Sequence, residues 1–200
     1  MAPNSFEALT SALEEGFGLE TDLRDSGGRL VISHDPALAN SPQFSDVIET
    51  WWERGLLGKA PIALNVKADG LLPLLHEVTR GLQSTAHYFF DMSFPQLLQY
   101  ARSRCPVAFR LSEYEPLPLQ LLEVLKLRER YWLDGFEADW WLDSAEVDAA
   151  CRRSALAVVS PEIHGRDPER AWTWFAQKFT EGCDISICTD RPYEVMEILS

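Results

Sequence analysis

Short apolar runs alternate with amphipathic segments about seven times along this chain, and that alternation limits the possible folds more than any other feature. The apolar runs fall at residues 19–22, 61–67, 87–91, 106–111, 132–137, 156–160 and 183–188. Between them lie helical patterns: Phe44, Val47, Ile48, Trp51 and Trp52 at i, i+3, i+4, i+7, i+8 spacing, and Trp172, Phe175 and Phe179 on one side of a helix opened by Asp167-Pro168. Further helices are expected from residue 69 to about 82, from the Ser93-x-x-Gln96 box, over 117–130, from the Asp143-x-x-Glu146 box, and near Pro192. The chain itself opens on a helix, with an Asn4-Ser5-Phe6-Glu7 capping pattern, Phe6, Leu9 and Leu13 on one face, and Gly16 as its stop. Strands joined by single-helix crossovers make a parallel sheet buried on both faces. An open doubly wound sheet and a (β/α)8 barrel both satisfy this pattern. No glycine-rich phosphate loop follows any strand, which weakens the dinucleotide-binding version.

The stretch from Gly16 to Pro36 carries the densest chemistry. Glu20 and Asp22 stand two apart in an extended run, so both side chains leave the same face of a strand. Two like charges side by side repel, and a divalent cation relieves them. Residues 30–33 form a second apolar strand after the turn Asp25-Ser26-Gly27-Gly28, and this hairpin delivers His34-Asp35 back toward the carboxylates. Polar groups recur where the later strands end: Asn65 and Lys67, Asp91, Arg110, Glu137, Glu162 and His164, Asp190. Barrels collect their sites at that end, from several strands at once, so the expected architecture is the barrel.

Length and charge narrow the classes further. A chain of 200 residues with 46% hydrophobic content can fill one core, and a single domain over 1–200 is expected. The formal net charge of −13 speaks against general nucleic-acid binding and against docking on anionic membranes, while leaving room for a small phosphorylated substrate neutralised locally. No apolar run is long enough to span a bilayer, and the N-terminus lacks a signal-peptide pattern. Four cysteines without CxxC spacing read as reduced thiols of a cytoplasmic protein. Nothing in the chain sets an oligomeric state.

These motifs resemble those of the glycerophosphodiester phosphodiesterase family of phospholipase C-like (β/α)8 TIM barrels. Pro3-Asn4-Ser5 resembles the family's helix opening, Glu20-Thr21-Asp22 its E-x-D metal motif, Gly27-Gly28 its hairpin turn and His34-Asp35 its H-D. The segment Ala63-Leu64-Asn65-Val66-Lys67 resembles the N-I-E-I-K strand, and the run from Gly182 to Asp190 the G-V-D-x-I-x-T-D terminal strand. The resemblance implies a metal-dependent phosphoric diester hydrolase acting on a glycerophosphodiester. A hard cation, Mg²⁺ or Ca²⁺, would be held by Glu20 and Asp22, with Asn65 as an amide-oxygen donor. His34 would transfer the proton, and Lys67 would steady the phosphate. Arg110, Glu137 and His164, at strand ends, are candidates for substrate contact, with structural ion pairing as the competing role for Arg110 and Glu137 and loop hydrogen bonding for His164. The family also carries an HRG motif on a first strand, whose histidine pairs with that of H-D; the expectation is a barrel whose first strand lies upstream of this chain. Asn65 stands where the family has a third glutamate, and the segment after Asp35 is short, so the site should be open. A barrel that binds a phosphorylated ligand without turnover is the alternative.

Overall fold

The parallel order expected from the alternation is realised in two four-stranded sheets, seen in a computed structural model that describes residues 4–82, 85–115 and 130–199. The chain divides into two compact units, Met1–Val107 and Ala108–Ser200. The barrel expected from the sequence, with its first strand outside this chain, is not formed as one continuous ladder among the described residues. The hydrogen bonding gives β2-β1-β3-β4 in the first unit and β5-β6-β7-β8 in the second, as set out below. The helix expected over 117–130 lies outside the described residues, except that Arg130 belongs to a strand.

In the first unit, helix α1 (Phe6–Glu14) precedes strand β1 (Leu19–Ser26), which turns back as β2 (Arg29–Ile32). The two-residue turn Gly27-Gly28 has both residues at positive φ, 57° and 79°, the geometry that matches the twist of a tight hairpin and that only glycine adopts without strain. Helix α2 (Phe44–Glu53), strand β3 (Ile62–Val66), helix α3 (Leu72–Val78) with a 3₁₀ turn over Thr79–Leu82, strand β4 (His87–Phe90) and helix α4 (Phe94–Arg102) follow. All five residues of β3 are buried, as a strand covered on both faces requires. Helix α2 buries Phe44, Val47, Ile48 and Trp51, while Trp52 faces water. The indole of Trp51 is fully buried yet satisfied, its Nε1 donating to Thr10 Oγ1 at 2.9 Å.

The register of this sheet decides what meets at its end. β1 and β3 run parallel with Glu20 opposite Ala63 and Asp22 opposite Asn65, and Asn65 lies opposite Phe90 of β4. Facing residues of parallel neighbours share a face. Glu20 therefore has the small Ala63 beside it, and Asp22 has Asn65.

In the second unit the strands β5 (Phe109–Leu111), β6 (Arg130–Leu133), β7 (Ala155–Val159) and β8 (Ile185–Cys188) are all parallel. Helices α5 (Ala145–Cys151), α6 (Glu169–Thr180) and α7 (Pro192–Leu199) accompany them, with 3₁₀ turns at Trp140–Asp143 and Pro161–His164. Its core is aromatic. Trp141, 1% exposed, stacks on Phe175 at 5.8 Å and 10° and meets Trp174 edge-on at 5.1 Å. Helix α6 also buries the ammonium of Lys178, which is bonded to Asp148 at 2.8 Å and Glu181 at 3.0 Å, so the charge is paired rather than stranded.

Local signals were read correctly in kind and shifted in position. Ser5, not Asn4, caps α1, accepting from the Ala8 amide at 3.2 Å. Ser144 rather than Asp143 caps α5. Strand β6 ends at Leu133, so Glu137, expected at a strand end, sits in the loop beyond it. Phe179, expected on the packed side of α6, is 42% exposed. The four cysteines are free thiols, and among the described residues no helix is long and apolar enough to cross a membrane.

Candidate functional site

Asp22 is the centre of the polar cluster at the end of the first sheet. It is 3% exposed, and both of its oxygens are engaged: Oδ1 lies 3.2 Å from Lys67 Nζ, and Oδ2 accepts from Asn4 Nδ2 at 2.7 Å. Asn4 in turn accepts from Thr21 Oγ1 at 2.8 Å through its own Oδ1, so a single amide clamps β1 on both sides. To reach there Asn4 adopts φ 56°, a left-handed conformation that asparagine tolerates better than other side chains. Sequence reasoning read Asn4 only as part of a helix opening. Its resemblance to the family's N-S opening was the available signal.

Asn65, level with Asp22 on β3, donates through Nδ2 to Asp91 Oδ2 at 3.0 Å, and its amide also hydrogen-bonds the Glu20 carboxylate. With the amide nitrogen turned to carboxylates, Asn65 Oδ1 is left buried and without a hydrogen-bond partner. An orphaned buried acceptor is costly unless something outside the chain satisfies it. Asp91 is a second group whose part was not assigned from sequence. It follows β4 directly, at φ 65°.

Glu20 completes the group. Burial and then the neighbouring charge of Asp22 push its carboxyl up from 4.5 to about 8, against the opposing pull of Lys67 and the Asn65 amide. The folded protein therefore holds a proton on Glu20 that the unfolded chain has already released between these values. Its contribution to stability is complete below about pH 4.5 and is lost as pH rises through about 8. In the presence of chelator, stability should fall by on the order of 3–5 kcal/mol across that window. Glu20→Gln should flatten the profile; urea titrations at stepped pH measure both, and equal slopes in the two proteins would refute the raised carboxyl.

His34 lies next in the hairpin. The Ser33 amide donates to the Asp22 carbonyl at 3.0 Å, which brings the H-D pair alongside the carboxylate strand. Arg24 pins the His34 carbonyl at 2.9 and 3.0 Å and reaches the Lys67 carbonyl at 3.2 Å, tying the hairpin to the end of β3. The imidazole itself is 70% exposed, and its hydrogen-bond partner among the described residues is Asp35, at 3.1 Å. It is available to a ligand rather than committed to the fold.

Arg110, Glu137 and His164 all lie in the second unit. Arg110, on β5, faces Asp134 at 3.7 Å and Glu115 at 3.8 Å. His164 Nε2 meets Asp134 Oδ1 at 2.7 Å, and Glu137 accepts from the Tyr114 hydroxyl at 3.3 Å. Asp134, one residue past β6 and 6% exposed, was missed from sequence because a single aspartate after a strand carries no motif. The loop that follows it is built tightly: a Cβ on Gly135 would collide with the Ala138 carbonyl oxygen. Gly135→Ala should therefore lower stability by about 1–3 kcal/mol and loosen the Asp134–His164 contact, read by thermal melting and by the His164 ring resonances.

Two carboxylates and a buried amide acceptor fit a hard cation in donor chemistry, and the orphaned Asn65 Oδ1 is the observation that supports this, whereas the Lys67 ammonium paired with Asp22 is no ligand. The set is lean. Among the described residues no three His, Cys, Asp or Glu side chains group together as a metal site. A cleft of about 900 Å³ lies elsewhere, against β2, α2 and α3, and none of the candidate catalytic, metal-binding or substrate-contacting residues lines it.

The two sheets, parallel but for one antiparallel hairpin on the first, place the chain in the α/β class. The particular fold is that of the glycerophosphodiester phosphodiesterases. A protein of Galdieria sulphuraria provisionally designated a glycerophosphodiester phosphodiesterase superposes with a TM-score of 0.74 at 15% identity, covering 100% of this chain and 92% of its own. A glycerophosphoryl diester phosphodiesterase of Parabacteroides distasonis gives 0.59 at 16% identity, over 91% of this chain and 75% of its own. A glycerophosphodiester phosphodiesterase of Agrobacterium tumefaciens gives 0.54 at 16% identity, over 92% and 88%. No family model matches the sequence, and no curated protein does. At such identities the likeness is one of fold.

Proposed function

We propose that the chain is a metal-dependent phosphoric diester hydrolase acting on a glycerophosphodiester-like substrate, releasing a glycerol phosphate and an alcohol. The observation that carries this reading is the Glu20–Asp22–Asn65 cluster, with its unsatisfied Asn65 Oδ1, at the strand ends of a glycerophosphodiester phosphodiesterase fold. Glu20, Asp22 and Asn65 would hold the cation, Mg²⁺ or Ca²⁺, which when bound neutralises the phosphoryl oxygens. Asn4 keeps Asp22 turned toward that position, and Asn65 orients Glu20. Lys67, paired with Asp22 at 3.2 Å, is within reach of a bound phosphate through rotation of its flexible stem. His34, exposed on the hairpin, delivers a proton to the departing alkoxide. A cytoplasmic setting is part of the same proposal.

Two observations favour the second reading, a barrel that binds a phosphorylated ligand without turnover. Lys67 is already committed to Asp22, and among the described residues the His34 ring has no partner beyond its neighbour Asp35. Turnover of bis(p-nitrophenyl) phosphate and of glycerophosphodiesters, with Mg²⁺ or Ca²⁺ and with chelator, separates the two. The hydrolase reading expects cation-dependent release that His34→Ala lowers by about 10²–10⁴. Absence of turnover under every cation leaves the binding reading.

A further inference from the structure

The cleft of about 900 Å³ against β2, α2 and α3 has no part in the proposed chemistry, yet its walls are anchored elements of the first unit. Strand β2 is tied to the start of α2: the Ile32 amide donates to the Pro42 carbonyl at 2.9 Å, and Val31 bridges Gln43. The 3₁₀ turn over Thr79–Leu82 lies directly on α2, because a Cβ on Gly81 would come within 2.9 Å of Ile48 Cγ2. Walls held in this way keep their shape before a ligand arrives, and a volume of this size holds a small molecule.

The floor is apolar. Leu30, Ile48, Leu74 and Val78 line the cleft from three elements, the first two only 4% and 5% exposed. Ser45, Ile48, Glu49 and Trp52 follow at i, i+3, i+4, i+7 along α2, so one stripe of that helix lines the cleft. Spacing alone groups Trp52 with the packed residues of α2, but its indole is 63% exposed and forms part of this wall. An aromatic ring left in water over an apolar floor, inside a cavity, marks a place where something binds.

Charge selects the occupant. Arg29 and Arg80 line the cleft together with Glu49 and Glu77, and among the described residues none of these four side chains has an ion-pair or hydrogen-bond partner. An anionic ligand would meet two carboxylates along with the two guanidiniums, and a cationic ligand the reverse. A doubly charged phosphate monoester fits poorly for the same reason. One charge of each sign is complementary. A carboxylate takes a guanidinium in a forked pair, and an ammonium takes a glutamate with the indole face adding its own attraction.

We infer that this cleft binds a small amphipathic zwitterion, an apolar body carrying one ammonium and one carboxylate, of amino-acid to dipeptide size. The inference uses none of Glu20, Asp22 and Asn65, and it stands or falls independently of the hydrolase reading. Phenylalanine and alanyl-phenylalanine are the probes, titrated to about 50 mM against the full chain. The N-acetylated dipeptide lacks the ammonium, the dipeptide amide lacks the carboxylate, and the doubly blocked form lacks both. Saturation transfer to the ligand ring reports binding, and the Trp52 indole N–H resonance reports its place. The expected result is saturable binding of a zwitterionic probe that shifts Trp52, about fivefold tighter than either singly charged form. Replacing Arg29 and Arg80 together by Ala should weaken the zwitterion and the acetylated form about fivefold and leave the amide no weaker. Glu49→Gln with Glu77→Gln should weaken the zwitterion and the amide instead. All four side chains are exposed, so both double variants keep the fold. Silence of both zwitterionic probes, binding that leaves Trp52 unmoved, equal binding of the doubly blocked dipeptide, or affinities unchanged in both double variants each overturns the inference.

Discussion

On the proposed hydrolase reading, Asp22→Asn is expected to lower cation-dependent diester hydrolysis by at least about a hundredfold. The substitution leaves size unchanged and removes the one charge on which the cluster is assembled. Lys67 loses its partner at 3.2 Å, and the Asn4 amide, 2.7 Å away, faces either an oxygen without charge or another NH₂. Asp22 is 3% exposed, so water cannot restore what is lost. Removing one member of a buried pair costs about 3–5 kcal/mol, and the Lys67 side chain, 24% exposed, recovers part of this by turning to solvent. A net loss of about 2–3 kcal/mol in urea unfolding should therefore accompany the kinetic effect. Activity within threefold of the parent would show that Asp22 organises the strand end but takes no part in chemistry. Asn4→Ala separates these roles: it removes only the clamp, and should lower activity about tenfold while Lys67 stays paired.

The largest stability effect is expected at Trp141. Its ring is 1% exposed, stacks on Phe175 and takes the edge of Trp174, so three aromatic side chains share one interior. Trp141→Ala removes that surface from the core and leaves a void that its rigid neighbours cannot fill, at a cost of about 3–5 kcal/mol. Denaturation followed by the fluorescence of the remaining tryptophans measures it. The chain has two compact units, so a transition that splits into two steps would place the loss in the second unit, and the single midpoint of a two-state fit would no longer apply. A cost below about 1 kcal/mol would contradict the packing described.

Much of the site was legible because its determinants are local. Glu20 and Asp22 are two apart, and a strand puts such residues on one face whatever surrounds it. The Gly27-Gly28 turn follows from residues that tolerate positive φ, and it carries His34 back to the carboxylate strand. Asn65 and Lys67 were found because polar groups ending an apolar run stand out against it. Asn4 and Asp91 were not assigned roles, since each acquires its part only through a neighbour distant in the chain, Asp22 in one case and Asn65 in the other. Asp134 belongs to the same kind: its meaning comes from His164, thirty positions on.

Element boundaries moved for a similar reason. Ser5 and Ser144 cap their helices because a short hydroxyl reaches the amide three residues on, whereas the neighbouring Asn4 is drawn to the sheet. Glu137 left the strand end because β6 stops once its apolar residues are spent, and the Glu113 carboxylate then captures the next free amides.

What this sequence determined by itself is the order of its elements and the polar residues that end its strands at the first sheet's edge. Periodicity and turn residues act through the backbone over a few positions, and they need no partner to be read. Tertiary structure alone decided the register that sets Asp22 beside Asn65, the commitment of Lys67 to Asp22, and the rise of Glu20 to about 8. These depend on burial and on charges brought together from different strands, and neither exists until the sheet has formed.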